Sequence, residues 1–230
     1  MQNVGAYGQE VAQTVTAVRA LDRTTGRIVS LSPSDLRFGY RTSALRGCAR
    51  YVVLSVTLTL ARDGLSSPVR YAELARALTL GVGARAPLAD VRDAVLSLRR
   101  GKGMVLDDAD PDSVSAGSFF TNPILPAGAF QALSERAHQQ LGADHTPPGY
   151  GEPDGRVKTS AAWLIEQAGF TRGHGDGRVG LSRKHTLAIV NRGGATAADI
   201  LGFARAIARG VHEMFGIELE PEPVLVGISW

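Results

Sequence analysis

A single cysteine, Cys48, in 230 residues rules out an internal disulfide, and with it the stapled frameworks of small secreted domains. No apolar run approaches the ~18 residues that a membrane-spanning helix needs, so no membrane partner is expected. Charge of one sign gathers in no long run either. The 25 Lys and Arg and the 22 Asp and Glu leave a net charge of +3, which permits an anionic ligand but offers no arm for nucleic acid. His138, His145, His174, His185 and His212 stand at no metal-ligand spacing, and beside a lone cysteine no metal site is expected. Met1 leads into neither a basic segment nor an apolar h-region, so no export signal is expected and the expected compartment is the cytoplasm. What the chain has in quantity is core-forming material: at 44% hydrophobic and 20% charged residues it can build one large domain or two small ones.

Read in order, the first part has the period of sheet. Residues 14–18 alternate, 22–26 are turn chemistry and 27–31 resume the alternation, which predicts a hairpin. In residues 51–60 the even positions Val52, Leu54, Val56, Leu58 and Leu60 are apolar and Ser55, Thr57 and Thr59 polar, which predicts a strand with one buried face and strands for neighbours. Residues 71–80 form a shorter helical candidate. Residues 87–100 carry Leu88, Val91, Val95 and Leu98 at helical spacing, with Asp90 early and Arg99 and Arg100 late, the pattern of a surface helix aligned with its dipole. The acidic stretch 107–112 marks a boundary, with expected domains 1–103 and 104–230. Beyond it the expectations are a helix over 126–141, a Gly/Pro-rich loop over 142–155, and a helix over 158–168 stopped by Gly169. Residues 173–180 are too glycine-rich for regular structure, and their Gly-His-Gly-Asp-Gly lacks the feeding strand and following helix of a phosphate loop. A short buried strand over 187–190 and a helix over 196–215 complete the chain, the helix opened by a Thr196/Asp199 capping box and ended by Gly216. Strands and helices mix without a βαβ repeat, so the expected class is α+β.

The chain is organised around Ser115-Ala116-Gly117-Ser118-Phe119-Phe120-Thr121-Asn122-Pro123. A small, flexible Ala-Gly pair delivers a serine hydroxyl, two aromatics follow and Asn-Pro stops the run, which sets one polar side chain at a tight, apolar-walled turn. Taken alone, the same residues read rather as a buried strand end with a satisfied serine. They stand in company, however: Asn3-Val4-Gly5-Ala6-Tyr7-Gly8 lies upstream, Phe38-Gly39-Tyr40-Arg41-Thr42-Ser43 follows it, and Leu219-Glu220-Pro221-Glu222-Pro223 lies near the end. In that order these motifs resemble the UDP-N-acetylenolpyruvoylglucosamine reductases, or UDP-N-acetylmuramate dehydrogenases, flavoenzymes of peptidoglycan precursor synthesis.

The resemblance implies the remainder of a two-subdomain, PCMH-type FAD-binding module over 1–103, followed by an α+β substrate-binding domain over 104–230. It covers about the last two-thirds of a complete family member, so an N-terminal FAD-binding segment is expected to be missing. Gly5, Ala6, Tyr7 and Gly8 would supply the remaining half of the flavin site. By their matches to family motifs, Arg41 would face the substrate carboxylate, Glu222 would be the acidic partner and Ser118 the proton donor. A guanidinium suits the first role because its planar fork pairs with a carboxylate bidentately. Tyr71 would cover the UDP-sugar, Lys102 would meet the diphosphate and Asn122 the nucleotide end. Without the resemblance Arg41 reads as a solvated charge, Glu222 as a strand-end carboxylate, Tyr71 as a core aromatic at a helix start and Lys102 as part of a basic cluster. Thr121, where relatives often carry lysine, is a departure. The implied reaction takes hydride from NADPH through FAD to UDP-N-acetylglucosamine enolpyruvate, giving UDP-N-acetylmuramate, with Arg41 and Glu222 steadying the enolate. Two other readings are a non-catalytic UDP-sugar binder and a different FAD-linked oxidase, the latter disfavoured by the Ser, Arg and Glu trio.

Overall fold

The computed structural model describes all of residues 1–230, and they divide into two compact units, Met1–Leu98 and Arg99–Trp230. In the first, β1 (Gly5–Ala6) and β2 (Gln9–Glu10) make a short hairpin. The expected hairpin follows as β3 (Val15–Asp22) and β4 (Arg27–Leu31), its turn closed by the Gly26 N–H donating to the Asp22 carbonyl at 2.8 Å. Asp22 is buried and takes a two-point hydrogen bond from Arg50 (3.0 and 2.6 Å), which holds its carboxyl far below the usual carboxylate range. Helix α1 (Pro33–Leu36) opens with a Ser32/Asp35 capping box and drops Leu36 into a small core with Val15, Val18 and Leu45. Strand β5 (Tyr51–Leu58) joins the sheet in the antiparallel order β4-β3-β5. Helix α2 (Ala72–Ala77) buries Leu74 and Ala75 with Val69, and Val91, Val95 and Leu98 of α3 (Leu88–Gly101) pack on that cluster, so α3 is the expected surface helix.

The strand expected over residues 51–60 forms, but its buried face does not. Val52, Leu54, Val56 and Leu58 are 47%, 48%, 41% and 49% exposed, and Leu60 lies beyond the strand at 70%. Two physical reasons account for the difference. β5, the edge of a three-stranded sheet, is covered on neither face: odd positions are exposed as well, Val53 at 37%. Its register with β3 also slips: Arg19 faces Ser55 but Ala20 faces Val53, leaving Leu54 as an extra, bulged residue. Past a bulge the alternation changes face, and the even positions no longer share a side.

The second unit holds β6 (Ser115–Ser118), β7 (Ile124–Leu125), α4 (Ala127–Leu141), β8 (Gly149–Gly151), β9 (Val157–Thr159), α5 (Ala161–Gln167), β10 (Val179–Leu181), β11 (Ala188–Asn191) and α6 (Ala197–Phe215). They form two antiparallel sheets, ordered β10-β11-β6 and β7-β9-β8. One core serves the whole unit. α6 buries Leu201, Ala204, Ile207, Val211 and Phe215 against Phe120, Leu133, Leu164, Ile165, Leu181 and Leu219, each large side chain contributing roughly 1.5–3 kcal/mol by leaving water. The helix begins and ends as expected: Thr196 and Asp199 form the capping box, which also lowers the Asp199 pKa through the Thr196 N–H, and Gly216 takes a φ of 70°. Three expectations need correction. The loop over 142–155 contains β8, and the helix expected from 158 starts only at Ala161, because Val157, Lys158 and Thr159 pair as β9 and Ser160 caps α5. The glycine-rich 173–180 ends in β10; its loop carbonyls at Gly173 and Gly175 accept from the Arg192 guanidinium. The acidic stretch 107–112 is fastened within this unit, with Asp110 paired to Lys184 (2.7 Å) and Asp112 buried and accepting the Arg183 N–H. No helix of the structure is long and apolar enough to cross a membrane.

Candidate functional site

The candidate residues of the first unit are drawn together by two tight turns. Gly5 pairs with Glu10 and Ala6 with Gln9, so Tyr7 and Gly8 are the two corner residues of the β1–β2 hairpin, at φ 51° and 84°. Positive φ at both corners is the requirement of a type I′ turn, which ordinarily takes Asn-Gly rather than Tyr-Gly. Asn3, 3% exposed, locks the base of the hairpin: its amide donates to Glu10 (2.8 Å), its oxygen accepts the Ala12 N–H, and its N–H reaches the Thr42 carbonyl at 3.3 Å. That last bond joins the hairpin to the second turn, where Gly39 and Thr42 pair and Tyr40 and Arg41 form the corner. Arg41, at φ 50°, donates from Nη2 to the Gly5 carbonyl at 2.7 Å, and its guanidinium lies 5.1 Å from the Tyr40 ring centroid. A Cβ on Gly5 would stand 2.9 Å from Glu10 Cγ and 3.0 Å from Arg41 Nη1, so a side chain there would push against both. The Tyr7 ring meets Tyr71 edge-on at 5.4 Å, with Tyr71 at the N-cap of α2. Gly5, Ala6, Tyr7, Gly8, Arg41 and Tyr71 thus occupy one locality.

In the second unit Ser118 lies in strand rather than in the expected turn. β6 and β11 pair Ala188 with Ser118 but Val190 with Ser115, so two β6 residues, Ala116 and Gly117, oppose one on β11. Gly117 takes the left-handed φ of 80° that this bulge uses, and the bulge re-aims the residue that follows it, Ser118. The Ala-Gly pair thus forms a strand bulge and not the expected tight turn. Phe119 and Phe120 then turn into the core, packed edge-on at 5.1 Å. Glu222 arrives beside them: its N–H donates to the Phe119 carbonyl at 2.8 Å, Pro221 bridges to Phe120, and the Thr121 N–H reaches the Glu220 carbonyl at 3.0 Å. Serine and glutamate, distant in sequence, therefore sit on hydrogen-bonded neighbouring segments. The Asn122 side-chain oxygen accepts the Ala161 N–H at 3.0 Å, a bond that anchors the start of α5. Lys102 follows α3 in a turn closed by its N–H to the Arg99 carbonyl (3.1 Å), and the next residue, Gly103, approaches Asp112 too closely for any side chain.

Several residues that build this geometry carried no sequence signal strong enough to single out. Ser43 is buried with its hydroxyl donating to the Met1 carbonyl at 2.7 Å, and Trp230 packs 6.3 Å from Phe119 and 5.9 Å from Phe120. A polar residue inside a loop motif is the one available hint, and it applies to Asn3 and Ser43 equally. No three His, Cys, Asp or Glu side chains gather where a metal ion could be held. For a flavin nucleotide the test is different. The Gln2 side-chain oxygen is buried without a donor beside the Asn3–Gly8 motif, and a buried acceptor of this kind suits the hydroxyl and ring N–H donors that such a ligand carries.

Comparison with known proteins gives these sites their context. A family model described as UDP-N-acetylenolpyruvoylglucosamine reductase, C-terminal domain, matches residues 110–226. Proteins named UDP-N-acetylenolpyruvoylglucosamine reductase are 58% identical over 229 residues in Thermobifida fusca and 55% identical over 231 residues in Streptomyces coelicolor. Both alignments take in 100% of this chain, which spans 64% and 60% of those relatives' lengths. A solved UDP-N-acetylenolpyruvylglucosamine reductase from Thermus caldophilus shares the fold, with a TM-score of 0.54 at 23% identity, over 96% of this chain and 56% of that one. The chain belongs to the UDP-N-acetylenolpyruvoylglucosamine reductase family.

Proposed function

We propose that this chain carries the substrate-reducing machinery of a cytoplasmic, NADPH-dependent flavoenzyme that converts UDP-N-acetylglucosamine enolpyruvate to UDP-N-acetylmuramate. The observation that carries the reading is the bond between the Ser118 and Glu222 segments, Glu222 N–H to Phe119 carbonyl at 2.8 Å, which puts a hydroxyl and a carboxylate on hydrogen-bonded neighbouring segments beside the core residues Phe119 and Phe120. FAD, held in part by Gly5, Ala6, Tyr7 and Gly8, would supply the hydride that NADPH provides. The protein's own residues do the rest. Arg41 pairs with the substrate carboxylate and, with Glu222, steadies the charge that grows when the vinyl group is reduced. Ser118 gives its proton to the carbon bearing that carboxylate. Tyr71 covers the sugar nucleotide, Lys102 meets its diphosphate and Asn122 its nucleotide end. Residues 1–103 would be the second half of the flavin module and 104–230 the substrate domain.

A serine hydroxyl is a weak acid, so it yields its proton only to a strongly basic carbon, as an enolate is. In protein reconstituted with FAD, Ser118→Ala should leave reduction of the flavin by NADPH near normal and slow its reoxidation by substrate ~10²–10⁴-fold, the worth of a positioned proton donor. Stopped-flow absorbance separates the two half-reactions, and equal reoxidation rates in variant and wild type would sink the assignment. A second reading is a UDP-sugar binder without turnover, for which Tyr71, Lys102 and Asn122 suffice. Gel filtration after mixing with FAD decides between them, since the binder would elute colourless yet still take up the sugar nucleotide.

A further inference from the structure

We propose that Arg46 is a positioning residue for Arg41, a role that rests on the reading of Arg41 as the side chain that meets the substrate carboxylate. The inference starts from the backbone. In the turn Gly39–Thr42, closed by hydrogen bonds in both directions at 3.3 Å, positive φ is confined to Arg41 at 50° while Tyr40 keeps a negative φ. This is the pattern of a type II turn, whose third position ordinarily takes glycine or asparagine because a Cβ is strained there. An arginine at that corner needs restraint, and it is gripped at both ends. Its Nη2 donates to the Gly5 carbonyl at 2.7 Å, and its own carbonyl accepts a hydrogen bond from Arg46 Nη1 at 2.9 Å. Arg46 is well placed to hold that carbonyl. Its N–H bonds to the Ser43 carbonyl at 3.1 Å, which folds 43–46 back over the corner, and the buried Leu45 and Ser43 anchor the fold. Fixing the Arg41 carbonyl fixes the peptide on its C-terminal side and so the left-handed conformation that aims its guanidinium at Gly5. Without Arg46 the corner can relax to the right-handed region and carry the guanidinium away.

Calorimetry with two probes tests this: UDP-N-acetylglucosamine enolpyruvate, which carries the carboxylate, and UDP-N-acetylglucosamine, which lacks it. Wild type should prefer the enolpyruvate, and Arg41→Ala should abolish the preference. Arg46→Ala should reduce it about 3–10-fold, the worth of one hydrogen bond, without changing affinity for UDP-N-acetylglucosamine. Arg46→Lys, which keeps a donor of similar reach, should restore it. If Arg41→Ala erases the preference and Arg46→Ala leaves it intact, the positioning role is wrong while the reading of Arg41 stands. If Arg46→Ala weakens both probes equally, Arg46 is a folding residue only. If wild type shows no preference, the reading of Arg41 falls and the role of Arg46 with it. Should Arg46→Ala unfold, Arg46→Met, which keeps the apolar stem and has no donor, carries the same expectation.

Discussion

In the first unit four non-glycine residues, Tyr7, Arg37, Arg41 and Thr79, hold a positive φ, whereas in the second every positive-φ residue is a glycine. An L side chain in the left-handed region costs about 1–2 kcal/mol, and glycine avoids that cost by having no side chain to offer. Around Ser118 the division of labour is simple. Gly117 makes the irregular conformation and its neighbour carries the hydroxyl, so the backbone device and the polar side chain are separate residues. At Tyr7 and Arg41 they are the same residue, because the ring that meets Tyr71 and the guanidinium that meets Gly5 sprout from the corner itself. Arg37 shows the limit of the comparison: it takes a φ of 44° merely as the C-cap of α1. At Tyr7 and Arg41, then, the strained backbone and the side-chain contact belong to one residue, whereas at Arg37 the strain serves the helix end alone.

The largest test concerns the floor under Ser118. Phe120 is 2% exposed in the core of the second unit, and Phe120→Ala should lower stability by about 3–5 kcal/mol, read from urea unfolding, because the cavity cannot close around so many fixed neighbours. A loss below about 1 kcal/mol would mean that the serine strand is not anchored there. Next comes the glycine device. A Cβ at Gly117 meets nothing within 4 Å, so Gly117→Ala should lose only the backbone term, about 1–2 kcal/mol. Unchanged stability would show that the bulge tolerates an ordinary conformation. The smallest effect, and the sharpest contrast, belongs to Arg41→Gly. Relief of strain there offsets both the lost bond to Gly5 and the added chain entropy of glycine, so stability should stay within about 1 kcal/mol of wild type while the preference for the enolpyruvate disappears. Strong destabilisation would instead make Arg41 a structural residue.

Local patterns were legible from the sequence. The α6 helix, its Thr196/Asp199 box and its Gly216 stop, and the β3–β4 hairpin all follow from neighbours a few residues apart, the range over which helix period, capping and turn chemistry act. What tertiary structure alone decided lies at longer range. Residues 157–159 became strand because Ile124, Leu125 and 149–151 came to pair with them, and the apolar side chains of β5 stayed exposed because neither face of that strand is covered and its register bulges at Leu54. Likewise, nothing near Glu222 in the chain announces that its N–H will bond to the Phe119 carbonyl, or near Gly5 that Arg41 will reach it. Periodicity says which residues can share a face. Whether that face is covered, and which distant segment supplies the hydrogen-bond partner, depends on contacts formed only when the chain closes on itself.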